Sequence, residues 1–230
     1  MKAHSFSNIG TWMFFAISLL DVIGVVLDNS LLQLIFKPLI MPSLILLYYL
    51  SSKRKNKWYI VAMFFSFLGD VLLLDKSNMF LFGIAAFLIT QLLYVFIISK
   101  ELPLSHWKTK LIASIPFLAF FIILIAVLKP GLGEFLLPVV VYGAAISIFG
   151  MVSLLNYMLR KENPSRILLL GAVLFIISDS MIALNKFYEA KALYGVAIMI
   201  TYILAQYLIF RYMLNRSVNA LPKQVNEAKP

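Results

Sequence analysis

The sequence contains no cysteine and only two histidines. Without cysteine the chain has no disulfide, no thiolate zinc site and no cysteine nucleophile. His4 lies in the N-terminal tail and His106 in a polar segment between apolar runs. A metal site built from several histidines inside the apolar part of the chain is therefore not expected, and we predict neither a metal ion nor another cofactor.

Charged residues are also scarce, because they make up 13% of the 230 residues while hydrophobic residues make up 62%. Soluble domains carry roughly 25% charged and about 45–50% apolar residues. A water-soluble protein of this length could not bury so large a share of hydrophobic residues in its core. The composition therefore predicts a membrane protein.

Eight apolar runs are separated by polar or charged residues, and each is close to the roughly 20 residues that a helix needs to cross the hydrocarbon. Barrel strands would be about ten residues long with alternating polarity, which the runs lack. We predict an all-α, polytopic integral membrane bundle of eight transmembrane helices in one domain, residues 1–214, followed by a polar, disordered cytoplasmic tail, residues 215–230. The runs lie near 10–28, 31–50, 58–74, 79–98, 110–128, 135–159, 167–184 and 192–213.

The net charge of +10 is unevenly distributed between alternate loops. Fifteen of the twenty lysines and arginines fall on one side, four on the other, and Lys37 lies inside a run. Because cytoplasmic loops are enriched in basic residues, both termini are predicted in the cytoplasm, and in a bacterium the protein belongs in the inner membrane. The excess charge then gives no support to a nucleic-acid partner. The fifteen are Lys2, Lys53, Arg54, Lys55, Lys57, Lys100, Lys108, Lys110, Arg160, Lys161, Arg166, Arg211, Arg216, Lys223 and Lys229.

Asp21, Asp70 and Asp179 stand inside apolar runs, where an ionised side chain costs at least about 2.5–3.5 kcal/mol on insertion scales, and the last two have a similar context. Asp70 follows Gly69, and Asp179 follows Ser178. Each of these two aspartates is twelve positions beyond the first residue of its predicted helix, which is about 18 Å at 1.5 Å per residue. We therefore predict that the two carboxyls lie at the same depth, where small residues let the helices approach closely.

Two interpretations of this pair remain open. Each aspartate is either a hydrogen-bond acceptor that locks two helices, or part of a shared functional site. In the second case the two carboxyls titrate as a coupled unit, one protonated and one ionised. A carboxylic acid beside a carboxylate is suited to general acid–base catalysis.

Other polar side chains lie within the runs near this depth or closer to the midplane. Lys37 either extends towards the membrane surface or is a counter-ion for the aspartates or for a ligand phosphate. The remaining candidates either line a pocket or form hydrogen bonds between helices, and Asp21 has no assigned role. The predicted substrate-binding residues are Lys37, Gln91, Tyr94, Tyr142, Ser178, Tyr202 and Gln206.

Several segments, in this order and spacing, resemble the YhhN family of membrane proteins. The resemblance covers roughly residues 35–212. The segments are Lys37–Leu39, Ser66–Leu74, Phe82–Leu88, Val141–Gly143, Gly171–Ser180 and Thr201–Leu208.

Animal members of that family are lysoplasmalogenases, which hydrolyse the vinyl ether bond of lysoplasmenyl lipids to a fatty aldehyde and a glycerophospho-head group. The resemblance implies that Asp70 and Asp179 match the catalytic acidic pair of the family and that the substrate is a lysophospholipid. Many members have histidine where this chain has Gln91, so a role of that histidine does not carry over.

Two other functions remain open from the sequence. The same carboxylates suit a proton relay in a small transporter or lipid-binding membrane protein. They also suit a non-catalytic scaffold in which they only lock helices together. The sequence leaves the oligomeric state and the physiological lipid undetermined.

Overall fold

The computed structural model describes residues 2–75 and 78–219, and each of the eight apolar runs is a helix in it. A single 3₁₀ turn, Gly133–Phe135, joins the fifth helix to the sixth, and no strand occurs in these two ranges. Lys76, Lys223 and Lys229 of the charge count lie outside the described residues. The helices are α1 (Lys2–Val26), α2 (Ser30–Ser51), α3 (Lys57–Leu72), α4 (Phe80–Glu101), α5 (Trp107–Leu132), α6 (Leu136–Arg160), α7 (Asn163–Phe187) and α8 (Ala192–Asn219).

Local sequence signals set several helix ends. The side-chain oxygen of Asn29 accepts from the backbone N–H of Leu32 at the start of α2, and Asn56 caps α3 in the same way. Capping satisfies backbone donors that have no partner in the first turn of a helix. Asn163 precedes a proline that is well suited to a first helical turn, so α7 begins four residues before the predicted position.

The C-terminal boundary of the bundle differs from the prediction. Helix α8 continues to Asn219, so residues 215–219 are helical, whereas we predicted that the disordered tail begins at 215. Arg216 in this last turn pairs with Glu101 of α4 at 2.7 Å. This ion pair attaches the end of α8 to α4, which explains why α8 extends beyond the apolar run. Residues 220–230 of the predicted tail lie outside the described residues.

Length and composition identify membrane-crossing segments in the described part of the chain. Six segments are long and apolar enough to cross a bilayer, and one of them, Trp107–Arg160, contains both α5 and α6. Helix α3, at 16 residues, is shorter than the roughly 20 residues that a full crossing requires. The chain is thus a multi-pass helical membrane protein.

The helices pack as four hairpins of consecutive helices, and further contacts join these hairpins into a ring. Going round it, α1 packs on α2, α2 on α3, α3 on α4, α4 on α6, α6 on α7, α7 on α8, and α8 again on α1. Helix α5 lies outside this ring, against α6 and α7. Its side chains are mostly exposed, with only Ala113, Leu128 and Leu132 buried. Such exposed apolar side chains face the lipid in a membrane.

Close contact between α5 and α7 depends on a glycine. A Cβ atom at Gly131 would overlap the backbone carbonyl oxygen of Phe187, the last residue of α7. A backbone oxygen cannot rotate away as a side chain can, so an added methyl group forces the two helices apart.

We expect Gly131→Ala to lower the free energy of unfolding by about 1–3 kcal/mol through this overlap. Thermal unfolding of the detergent-solubilised protein measures the change. Gly10→Ala in α1 is the matched control, because its added Cβ meets only the flexible side chain of Leu47. An unchanged melting temperature for Gly131→Ala would contradict the contact.

Candidate active site

The centre of the site consists of two aspartate–tyrosine pairs contributed by four helices. The hydroxyl of Tyr202 on α8 donates to Oδ2 of Asp70 on α3 at 2.7 Å. The hydroxyl of Tyr142 on α6 donates to Oδ2 of Asp179 on α7. Both carboxyls are buried, with 3% of Asp70 and 7% of Asp179 exposed. Each carboxyl therefore has a tyrosine hydroxyl from another helix to replace hydration that the membrane interior lacks.

The two carboxyls are close enough for Asp70 to act electrostatically on Asp179. The predicted count of twelve residues from the start of each helix was wrong, because α3 begins at Lys57 and α7 at Asn163. Asp70 is thirteen and Asp179 sixteen residues beyond these starts. The two helices begin at different levels, and packing within the bundle brings the carboxyls into range.

A phenylalanine ring packs beside the carboxyl of Asp70. A Cβ atom at Gly69 would lie 2.5 Å from the ring of Phe87, so the small residue before Asp70 makes room for this ring. The ring contacts Tyr202 edge to face at a centroid distance of 5.9 Å and Phe175 at 6.3 Å. Sequence reasoning gave Gly69 a role in helix approach but missed Phe87, which provides the apolar surface beside Tyr202.

Gln91 is the unusual polar residue of the site. It lies on α4 beside Tyr142 and Asp179 and is fully buried. Its amide makes no hydrogen bond of good geometry, although the side chains of Tyr142 and Asp179 are near enough to interact with it. A buried amide that is only weakly bonded costs free energy, so a water or ligand group that reaches it would gain a hydrogen bond.

A second hydrogen-bond network adjoins Asp70. The hydroxyl of Tyr94 donates to Oε1 of Gln206 at 2.9 Å, and the amide of Gln206 donates to Ser66 at 3.1 Å. Ser66 in turn donates to Thr90 at 3.2 Å. Sequence reasoning assigned no role to Ser66 and Thr90, although Ser66 lies one helical turn before Asp70 and therefore on the same face of α3.

The other predicted site residues have different surroundings. Ser178 is buried and its hydroxyl donates to the backbone carbonyl of Ile198 at 3.1 Å, which joins α7 to α8. Lys37 lines a neighbouring cavity and lies within electrostatic range of Asp70 and Asp21. The structure thus brings five of the nine predicted residues together around the carboxyls, namely Asp70, Asp179, Gln91, Tyr142 and Tyr202.

A narrow apolar cleft of about 40 Å³ leads to Asp179 and Tyr142. Apolar side chains of α4, α6 and α7 form most of its wall. Such a cleft suits a hydrocarbon chain better than a polar ligand. Its other lining residues are Leu73, Phe80, Ile84, Phe87, Val139, Ile182, Ala183 and Phe187.

A larger cavity, of about 390 Å³, lies elsewhere, where α2, α4 and α8 end. Its polar wall includes Arg54, Lys55, Glu101 and Arg216, two of which form the ion pair described above. None of the aspartates within the helices lines it. This larger cavity is therefore separate from the two aspartate–tyrosine pairs.

Asp21 on α1 is a third buried acid. It is completely buried, and neither carboxyl oxygen has a hydrogen-bond partner. It acts electrostatically on Asp70, whereas Lys37 acts on both. Within residues 2–75 and 78–219, no three histidine, cysteine or acidic side chains are grouped as metal ligands would be.

Comparison with known proteins places the chain in a family. No curated protein and no solved structure that was compared with the chain matches it. The model of the YhhN family matches residues 32–213, which is well over half of the 230 residues and includes both aspartate–tyrosine pairs. Helix α1, with Asp21, lies outside the matched range. The chain therefore belongs to the YhhN family.

Proposed function

We propose that this protein is a membrane-embedded hydrolase that cleaves the vinyl ether bond of lysoplasmalogen-type lysophospholipids. The products are a fatty aldehyde and a glycerophospho-head group. The observation that carries the proposal is the pair of buried, tyrosine-bonded carboxyls within electrostatic range of each other, one of them on the wall of an apolar cleft. Membership of the YhhN family is consistent with this role.

The chemistry of a vinyl ether matches such a pair. A carboxylic acid protonates the carbon that is β to the ether oxygen, and the bonding electrons of the alkene form the new C–H bond. The resulting oxocarbenium ion is stabilised by a nearby carboxylate and captured by water, which loses a proton. The hemiacetal that forms breaks down to aldehyde and alcohol, so one water molecule is consumed for each lipid.

We assign the proton donor to Asp179 and the negative charge to Asp70. Asp179 lines the cleft where an alkenyl chain would lie, whereas Asp70 does not. Lys37 lies within electrostatic range of Asp70, and a nearby cation attracts the ionised carboxylate. The hydroxyls of Tyr142 and Tyr202 hold the two carboxyls in position.

We assign to Gln91 the role of binding the water molecule that attacks the oxocarbenium ion. Its amide is buried beside Asp179 and Tyr142 without a hydrogen bond of good geometry, and an amide both donates and accepts hydrogen bonds. A water held there would stand next to the carboxyl that has just released its proton. Glutamine performs this task without titrating, which distinguishes this chain from family members with histidine at this position.

The topology that we propose has eight membrane crossings. The N-terminal end of α1 and the C-terminal end of α8 face the cytoplasm, and in a bacterium the membrane would be the inner membrane. The support is the enrichment of basic residues in alternate loops, together with the division of the 54-residue apolar segment into α5 and α6. This topology requires the short helix α3, together with the turn that follows it, to span the membrane.

Labelling with a membrane-impermeant maleimide tests this topology, and the absence of native cysteine leaves no background. In intact bacterial cells we expect Glu134→Cys, between α5 and α6, to be labelled from outside. Lys53→Cys, between α2 and α3, should be labelled only after lysis. The reverse labelling pattern would show that the bundle has the opposite orientation in the membrane. Labelling of both variants in intact cells would contradict eight crossings.

Removal of either central carboxyl is expected to abolish turnover. Asp179→Asn and Asp70→Asn should each reduce aldehyde release from lysoplasmenylethanolamine by at least about a hundredfold, because general acid–base catalysis contributes 10²–10⁴. Product mass spectrometry with purified protein measures this. Asp28→Asn is the matched control, since Asp28 is exposed and its left-handed backbone conformation suits asparagine equally well.

Two results would replace the hydrolase proposal. Folded wild-type protein that is inert towards vinyl-ether lipids but takes up substrate into liposomes with protons would establish the transporter. Loss of thermal stability in both Asp→Asn variants, with no activity in any assay, would establish a structural role only.

Gln91→Leu separates a functional role of the amide from a structural one. Leucine removes a buried amide that makes no hydrogen bond of good geometry, so the free energy of unfolding should not fall while kcat falls. Gln206→Leu breaks two hydrogen bonds and should instead lower the melting temperature. Thermal unfolding and steady-state kinetics give both readouts, and unchanged kcat in Gln91→Leu would remove Gln91 from the mechanism.

A further inference from the structure

A second cavity, of about 240 Å³, adjoins the apolar cleft at Asp179. The two share Leu73, Phe80 and Ile182 as lining residues. Helix α3 ends at Leu72, so the chain turns away at this level and leaves space between α2, α7 and α8. A ligand in this cavity would therefore be separated from the cleft only by a shared wall of three side chains.

The polar groups of this cavity are cationic or neutral. Lys37 comes from α2 and Lys186 from α7, and Gln33 and Asn185 complete the polar part of the lining. No aspartate or glutamate is among the described residues that line it. The wall thus carries two positive charges and no negative charge, in surroundings that are otherwise apolar.

The two lysines are held differently. The ammonium group of Lys186 lies 4.2 Å above the centre of the Phe80 ring, and this ring also forms part of the cleft at Asp179. Lys37 is half-buried. Among the described side chains, two ion pairs are closer than 4.0 Å, and Lys37 takes part in neither of them. These pairs are Lys191–Glu189 and Arg216–Glu101. Lys37 therefore has only longer-range electrostatic partners.

We infer that this cavity binds the phosphate of a lysophospholipid, with Lys37 and Lys186 as its cationic contacts. A phosphodiester carries one negative charge and several acceptor oxygens, which ammonium groups from two lysines lining the same cavity can bond. In a lysophospholipid the glycerol separates this phosphate from the sn-1 linkage by a few bonds. A phosphate beside the lysines would thus place the linkage at the shared wall, next to Asp179.

This inference rests on the proposed function for the identity of the lipid, so its test uses binding and does not require turnover. The probes are a 1-O-alkyl lysophosphatidylethanolamine, whose saturated ether is not a substrate, and the corresponding 1-O-alkyl glycerol, which lacks the phosphate. Binding to the full-length protein in detergent is measured by calorimetry. Inorganic phosphate serves as a third probe.

We expect Lys37→Gln and Lys186→Gln each to weaken binding of the lysophospholipid by roughly tenfold, because a hydrogen bond to a charged group is worth about 1.5–3 kcal/mol and these groups are partly solvated. Binding of the alkyl glycerol should not change. Lys191→Gln is the matched control, because this exposed lysine lies near the same end of α7, pairs with Glu189 and does not line the cavity. Lys37→Arg, which keeps the charge, should retain most of the affinity.

Equal weakening for both lipids, or no weakening for either, would overturn the phosphate assignment. Inorganic phosphate that binds as tightly as the lysophospholipid would instead assign the cavity to the free anion. If the protein hydrolyses vinyl ethers, both lysine variants should raise KM for lysoplasmenylethanolamine, and Lys37→Gln should also lower kcat because Lys37 attracts the ionised carboxylate of Asp70. If it hydrolyses none, the proposed function fails, and the binding results still decide whether the phosphate site exists.

Discussion

Within a bilayer the hydrocarbon offers no hydrogen bonds, so each polar group on a membrane helix needs a partner inside the protein. The bond between Tyr202 and Asp70 meets this need across 132 residues of sequence and joins α8 to α3. Gln206 and Ser66 join the same two helices across 140 residues. These bonds reach across the inside of the ring between two helices that are not neighbours in it, and they include one of the two aspartate–tyrosine pairs. Fold and candidate site therefore depend on the same few interactions.

Six buried side chains among the described residues make no hydrogen bond of good geometry, and two of them interact with the acidic groups of the site. The amide of Gln91 lies beside Asp179, and the carboxyl of Asp21 lies within electrostatic range of Lys37 and Asp70. Buried polar groups without partners reduce stability, and they are frequently retained where they serve function. Asp21 lies on α1, which is outside the part of the chain that matches the family. This helix contributes Val25 to the wall of the lysine-lined cavity.

The short third helix explains how the apolar cleft and the lysine-lined cavity can lie next to each other. Because α3 ends two residues after Asp70, the space beyond it is closed by Leu73 and Phe80 and not by a further turn of helix. An apolar cleft and a cationic cavity then share one wall. An amphiphile with an apolar chain and an anionic head group has the same arrangement of parts, and its linkage between chain and head group would lie at the shared wall.

The sequence by itself determined the helices and the presence of polar groups inside them. Runs of about 20 apolar residues form helices in a membrane almost independently of their neighbours, because backbone hydrogen bonds are satisfied within each run. All eight predicted runs are helical, and Asp70 and Asp179 were recognised because an ionisable residue in such a run is costly. Tertiary structure alone decided which partner each group has. Pairing depends on how helices rotate and shift against each other, so Ser178 bonds to α8, Gln91 makes no hydrogen bond of good geometry, and Lys186 joins Lys37 from a distant helix.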